Sequence, residues 1–74
     1  MMNLIFCGIP DENYFVWRAE TLGLLKVNGI KFNFQELTAL SELMKRGITK
    51  LPCILVGNRI TQLDEIICLY HESI

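Results

Sequence analysis

Four consecutive apolar residues near the N-terminus constrain the fold more than any other stretch of this chain. Leu4-Ile5-Phe6-Cys7 has the length of a strand, and Gly8-Ile9-Pro10-Asp11 after it favours a turn. A strand with one solvated face alternates polar and apolar residues, so an unbroken apolar run indicates a strand covered on both faces. We therefore predict a first strand over Asn3–Cys7, inside a sheet that carries helices on both sides.

A long helix and a second strand are predicted next. Asp11 or Asn13 can cap the helix, and Asn28-Gly29 is the pair expected to end it. Ile30–Gln35 alternates strictly, which predicts a strand at a sheet edge with one solvated face. The buried face of the helix is expected from helical spacing to comprise Val16, Ala19, Leu22, Gly23 and Val27, widened by Leu24 and Leu25.

The second half of the chain predicts a short helix, a hairpin and a last helix. Thr38 is expected to cap the short helix and Gly47 to close it, with Leu40, Leu43 and Met44 on its inner face. Gly57-Asn58 is a two-residue hairpin signal between the strands Cys53–Val56 and Arg59–Thr61. The last helix is predicted over Leu63–Glu72, with Leu63, Ile66, Ile67 and Tyr70 on one face.

These elements follow the order β-α-β-α-β-β-α, which predicts one α/β domain over residues 1–74. The first β-α-β unit should be parallel and the hairpin antiparallel, so the four-stranded sheet is mixed. A ferredoxin-like domain would need its last elements in the order β-α-β, and the hairpin argues against that. With 74 residues, 51% of them hydrophobic, the chain is too short for two domains but apolar enough for one core.

Charge and cysteine content exclude several classes of function. The net charge is −1 and the basic residues are dispersed, so nucleic-acid binding is not expected. The apolar runs fall far short of the roughly 20 residues of a membrane-spanning helix, and no secretory signal is recognisable. The three cysteines lack a C-x-x-C and metal-type spacing. Free thiols indicate a reducing compartment, hence a cytoplasmic protein without a metal site.

The segment Lys50-Leu51-Pro52-Cys53 resembles the small phage-type glutaredoxins and thioredoxins, which carry an apolar residue and a cis proline before the third strand. The resemblance covers nearly the whole chain, including the paired Leu24-Leu25 of the first helix, the edge strand and Ile60-x-x-Leu63-Asp64. It implies a thioredoxin/glutaredoxin-like fold and a cis Leu51–Pro52 bond. It also implies a groove beside that bond for glutathione or an extended peptide.

The chain departs from this family at the residues that carry its chemistry. Aligned on the paired leucines, the family's two cysteines fall on Phe15 and Arg18, so no C-x-x-C is present. The usual threonine two residues before the cis proline is Lys50. In place of the family's Gly-Gly pair, which lets glutathione approach closely, this chain has Thr61-Gln62. Only the following Asp64 matches the family pattern in this segment. Disulfide exchange needs a thiolate, so we expect the ordinary dithiol cycle to be lost.

A non-catalytic binding module is the first functional hypothesis. Tyr14, Phe15 and Trp17 would lie beside Pro52 and anchor a protein or peptide segment, which in a phage setting suggests a host protein. Core packing is the alternative for at least one of these aromatics. The candidate binding residues are Tyr14, Phe15, Trp17, Arg18, Lys50, Leu51, Pro52 and Asp64. Of these, Arg18 and Lys50 either hold an anionic group or balance nearby acids.

A thiol–disulfide oxidoreductase with displaced cysteines is the second hypothesis. If the first and third strands are antiparallel neighbours, as in the family, Cys7 and Cys53 lie at the same end of the sheet and could pair. Glutathione would then be the co-substrate. The alternative is that both cysteines are small buried hydrophobic residues, as free cysteines commonly are.

Overall fold

A computed structural model describes residues 2–72 of the chain. The elements are β1 (Met2–Cys7), α1 (Glu12–Val27), β2 (Phe32–Leu37), α2 (Leu40–Lys45), β3 (Cys53–Val56), β4 (Arg59–Thr61) and α3 (Leu63–Glu72). The order predicted from the sequence is confirmed, and β3, β4 and α3 have the predicted bounds. Residues 1, 73 and 74, which the predicted domain includes, lie outside the described residues. In the described part of the chain, no helix combines the length and the apolar character needed to cross a membrane.

The four strands form one mixed sheet in the order β2-β1-β3-β4. β1 runs parallel to β2 and antiparallel to β3, and β3 runs antiparallel to β4. β1 is thus an interior strand, and β2 is an edge strand, both as predicted. The unbroken apolar run of β1 follows from this position, because each of its two faces packs against a separate core.

Alternate side chains of β1 belong to the two cores. Leu4 and Phe6 pack with residues of α1 and α3, including Leu25 and Ile66. Cys7 points to the other face of the sheet, where α2 covers it. The buried residues of that second core are Cys7, Leu43, Ile48, Cys53 and Leu55. A single helix of six residues covers this face, so part of it stays open.

The buried face of α1 differs from the prediction. Tyr14, Thr21 and Leu25 are buried, whereas most of the predicted face is exposed. The exposed residues of that face are Val16, Ala19, Gly23, Leu24 and Val27. Apolar residues occur all round this helix, so their spacing alone does not select a face. Near the start of α1, Tyr14 is buried in the first core and Trp17 packs against that core, so these two rings lie on its buried face.

The strand β2 begins two residues later than predicted, at Phe32 and not at Ile30. The end of α1 explains the shift, since the Ile30 N–H donates to the Leu25 carbonyl at 3.1 Å and the Gly29 N–H donates to Lys26. These two bonds form a Schellman motif, with Gly29 in the left-handed region at φ 71°. Ile30 is therefore part of the helix cap and is buried there.

The start and the inner face of α2 also differ from the prediction. β2 continues to Leu37, so the N-cap of α2 is Ala39 and not Thr38, and within residues 2–72 no side chain caps this helix. Leu43 is buried, but Leu40 and Met44 are exposed. Leu43 packs in the second core with Cys7 and Cys53, whereas Leu40 and Met44 lie at the exposed margin of this helix face.

Candidate functional site

Two loops meet at one end of the sheet. β1 and β3 are antiparallel neighbours with Cys7 opposite Cys53, so the loop after β1 and the loop before β3 emerge side by side. The first loop leads into α1, and the second contains the Leu51–Pro52 peptide bond. That bond is cis, as the resemblance implies.

Two depressions lie at these loops and share Pro52 as a common wall. The first has a volume of about 230 Å³ and is lined by Ile9, Asp11, Asn13, Tyr14, Leu51 and Pro52. The second has about 190 Å³ and extends from Pro52 to Trp17, Glu20 and Leu63. We refer to the two depressions together as the Pro52 groove. Its walls come from α1, β3 and α3 and from the loops that precede α1, β3 and α3.

Tyr14 forms a fixed wall of the first depression. Its backbone N–H donates to Asp11 Oδ1 at 2.9 Å, which caps α1, and its hydroxyl donates to Glu36 Oε1 at 3.0 Å. Its ring lies against Gly8, where a Cβ atom would come within 2.3 Å of Tyr14 Cδ1. Position 8 therefore requires glycine. Tyr14 is fixed by three contacts, which involve its backbone N–H, its ring and its hydroxyl group.

Arg18 is engaged by Glu36 on β2. The Arg18 Nη1 atom donates to the same Glu36 Oε1 that accepts from Tyr14. The hydrogen bond from Arg18 lowers the pKa of Glu36, and the hydrogen bond to Glu36 raises the pKa of Arg18. Burial raises the pKa of Tyr14, with a further contribution from its bond to Glu36. Arg18 thus balances an acid, which was one of the two alternatives for it.

The groove itself carries acidic and apolar groups. Asp11 lines the first depression and Glu20 the second, and no lysine or arginine lines either within residues 2–72. Lys50 is exposed next to Leu51 but does not line the groove. The charged side chains that line the groove are therefore acidic, with the charge of Asp11 offset by the positive end of α1.

The structure brings some of the sequence-derived site residues together and separates others. Tyr14, Leu51 and Pro52 line the first depression, and Trp17 lines the second, with its ring edge-on to Phe6. Phe15 is 45% exposed and lines neither; the Arg18 guanidinium lies 5.0 Å from its ring centre. Asp64 is exposed in the first turn of α3 and also lies outside the groove.

Several residues of the site escaped sequence reasoning. The sequence predicts only a turn at Gly8 and Ile9. In the structure, Gly8 leaves room for the Tyr14 ring, and Ile9 is 51% exposed at the groove. Glu36 lies 18 residues from Arg18, and only the folded arrangement of β2 and α1 brings the two together. The sequence predicts Asn13 only as a possible N-cap of α1, whereas in the structure it lines the groove.

Cys7 and Cys53 lie in the core beneath α2. Cys7 is fully buried and Cys53 is 4% exposed. Burial, with a contribution from the neighbouring Cys53, raises the pKa of the Cys7 thiol to about 12, and burial also raises the pKa of Cys53. Both thiols are therefore protonated at neutral pH, and Cys53 also lines the second depression of the Pro52 groove. Cys68 on α3 is exposed.

Comparison of the chain with protein-family models, curated proteins and solved structures finds no match. Within residues 2–72, His, Cys, Asp and Glu side chains form no group of three or more that could hold a metal ion.

Proposed function

We propose that this chain is a non-catalytic binding module with a thioredoxin/glutaredoxin-type fold. Its ligand would be an extended peptide segment, with apolar side chains and a basic residue, bound in the Pro52 groove. Two features support the fold assignment: the cis Leu51–Pro52 bond before β3, and the antiparallel pairing of β1 with β3. Both are implied by the family that the sequence resembles.

The shape of the groove supports an extended ligand. The two depressions lie on either side of Pro52, so a segment that crosses this residue places one side chain in each. Volumes of about 230 and 190 Å³ are below the range of about 300–1,000 Å³ typical of small-molecule pockets. Successive contacts along a peptide suit such shallow sites better than one compact ligand.

The composition of the groove supports apolar and basic ligand side chains. Ile9 is exposed at the first depression and Trp17 forms part of the second, so both provide apolar contact area. Asp11 and Glu20 give the groove a negative charge. This charge disfavours glutathione, which carries two carboxylates, and favours a lysine or arginine of the ligand.

The absence of an accessible thiol at the groove is the observation that carries the non-catalytic part of the proposal. In the family, the nucleophile lies at the start of the helix that corresponds to α1, where this chain has Phe15. Within residues 2–72 the groove presents no exposed thiol: Cys53 lines the second depression, but this residue is only 4% exposed. Binding is then the function that remains for the groove.

The proposal is tested by selecting peptides from a displayed random library and measuring their affinity by Trp17 fluorescence. Trp17 is the single tryptophan of the chain and lines the groove, so it reports on binding directly. We expect selected peptides to carry apolar residues with at least one lysine or arginine. Failure to select any peptide, or selection of acidic peptides, contradicts the proposal.

Two variants and one control locate the binding. Ile9→Ala removes an exposed groove contact and should raise Kd by about fivefold, which corresponds to about 1 kcal/mol. Val27→Ala is the matched control, since Val27 is 83% exposed and lines neither depression. Asp11→Asn keeps a good N-cap residue for α1 and removes one charge. It should weaken basic peptides and reduce the salt dependence of their binding.

A thiol–disulfide oxidoreductase is the second candidate, and the register of β1 and β3 favours it. Cys7 and Cys53 are directly opposite, and opposite residues of antiparallel strands are about 4.5–5.5 Å apart at Cα, within the range of disulfides. Their burial argues against turnover. A glutathione-coupled disulfide reduction assay separates the candidates: the binding module gives no turnover, whereas activity that disappears in Cys7→Ser supports the oxidoreductase.

A further inference from the structure

The edge strand β2 has unpaired backbone groups along its outer side. β2 pairs with β1 over all six of its residues, from Met2 opposite Phe32 to Cys7 opposite Leu37. Within residues 2–72 no strand lies on its other side. An open edge of this length is a template for another strand.

Two hydrogen bonds identify the residues whose backbone groups face outward. The Met2 N–H donates to the Lys31 carbonyl at 3.2 Å, and the Gly8 N–H donates to the Leu37 carbonyl at 3.3 Å. In a strand, the N–H and C=O of one residue point to the same side, and successive residues alternate sides. Lys31 and Leu37 face β1, so the backbone groups of Phe32, Phe34 and Glu36 face outward.

The usual protections of an edge strand are missing from β2. Its sequence contains no proline, and its register with β1 runs without a bulge. Its one charged residue, Glu36, is neutralised by Arg18. Phe34 is 43% exposed, although its ring also stacks on Phe6. The edge is therefore open, uncharged in effect and partly aromatic.

We propose that β2 pairs antiparallel with β2 of a second copy of this chain, about a two-fold axis at Phe34. In this register Phe34 faces Phe34 of the second copy, and Phe32 faces Glu36. These three pairs are all formed by residues with outward-facing backbone groups, so each exchanges two hydrogen bonds. Registers centred on Asn33 or Gln35 align fewer of the outward-facing groups of β2.

The side chains of β2 complement themselves in the same register. Asn33 faces Gln35 of the second copy on the side of the sheet that carries α2, where two amides can hydrogen-bond. On the opposite side, Glu36 approaches Phe32 of the second copy. The facing Asn33–Gln35 and Phe34–Phe34 pairs make β2 complementary to itself in this register, and this self-complementarity points to a second copy as the occupant.

Charge pairing at position 34 tests the register. Wild-type protein should show a concentration-dependent monomer–dimer equilibrium in sedimentation equilibrium. Phe34→Lys and Phe34→Glu, each measured alone, should raise the dimer dissociation constant by about tenfold or more, because like charges face each other across the axis. An equimolar mixture of the two variants should restore the dimer. Val27→Lys is the control for an added surface charge, and it should dimerise like wild type.

A second pair of variants keeps the test independent of the Phe34–Phe6 contact. Asn33 and Gln35 are exposed, so replacing them leaves the core intact. The double variant Asn33→Lys/Gln35→Lys should be monomeric, because lysines then face each other across the axis. The double variant Asn33→Glu/Gln35→Lys should dimerise, because opposite charges face each other. Both variants should have the same far-UV circular dichroism spectrum. A wild-type protein that stays monomeric at millimolar concentration overturns the proposal, as does equal dimerisation of the two double variants.

Discussion

Replacing Gly8 by alanine should destabilise the protein through a clash with Tyr14. The added Cβ would lie 2.3 Å from Tyr14 Cδ1 and 2.8 Å from Cε1, whereas ordinary carbon contacts are about 3.5–4.0 Å. The ring must retreat by about 1 Å. Its surroundings resist this, because Tyr14 is buried, packs against Phe15 and Trp17, and is tethered to Glu36.

The size of the effect follows from two contributions. Overpacking a well-filled core costs about 1–3 kcal/mol. If the retreating ring breaks the 3.0 Å bond from the Tyr14 hydroxyl to Glu36, a hydrogen bond to a charged group worth about 1.5–3 kcal/mol is also lost. A domain of 74 residues has a total stability of about 4–11 kcal/mol. Gly8→Ala should therefore remove a large fraction of it.

Urea unfolding followed by Trp17 fluorescence and by far-UV circular dichroism measures this loss. The matched control is Gly23→Ala, because a Cβ at Gly23 meets nothing within 4 Å and lies in the interior of α1. It should stabilise the helix by up to about 1 kcal/mol. The cost of Gly8→Ala should fall in a Tyr14→Leu background. An unchanged cost in that background, or a Gly8→Ala protein as stable as wild type, refutes the reasoning.

Further predictions concern the thiols and the aromatic residues. A thiol-reactive chromophore should rapidly label only Cys68 in the native protein and all three cysteines in denaturant; rapid native labelling of Cys7 or Cys53 would contradict their burial. The folded pKa of Cys7, about 12, lies above its ordinary 9.0, so its contribution to stability is complete below pH 9 and is lost as the pH rises towards 12. Cys7→Ala should flatten this alkaline loss in unfolding curves recorded across that range, and an unchanged slope would count against the assignment. Trp17→Ala should weaken the binding of selected peptides in a direct titration, whereas Phe15→Ala should leave their Kd unchanged, because Phe15 lies outside the groove. A larger effect of Phe15→Ala than of Trp17→Ala would place the ligand elsewhere.

Local signals predicted the order of the elements and the strands of the hairpin. Gly57, at φ 66°, supplies the turn that joins β3 to β4, and the bounds of both strands follow from it. The strict alternation after α1 identifies the edge strand but predicts its start at Ile30, two residues before the observed start at Phe32. Alternation cannot show that Ile30 hydrogen-bonds back to Leu25, because that bond depends on how the helix ends.

The candidate site was only partly predictable. Leu51 and Pro52 were identified through the resemblance, and the structure places both at the groove. The bond between Arg18 and Glu36 could not be foreseen, because it depends on which face α1 turns towards β2. The role of Gly8 depends equally on the position of the Tyr14 ring. Contacts between distant segments, which no local pattern encodes, therefore define the walls of the groove.

Chemical-shift mapping with a selected basic peptide on ¹⁵N-labelled protein tests the central claim most directly. The account predicts the largest amide shifts at Ile9, Asn13 and Leu51, with the Trp17 indole signal also affected, and the same pattern with a reducing agent present. Shifts confined to β2, or a complex that forms only through a mixed disulfide with a cysteine, would contradict a thiol-independent ligand site at Pro52.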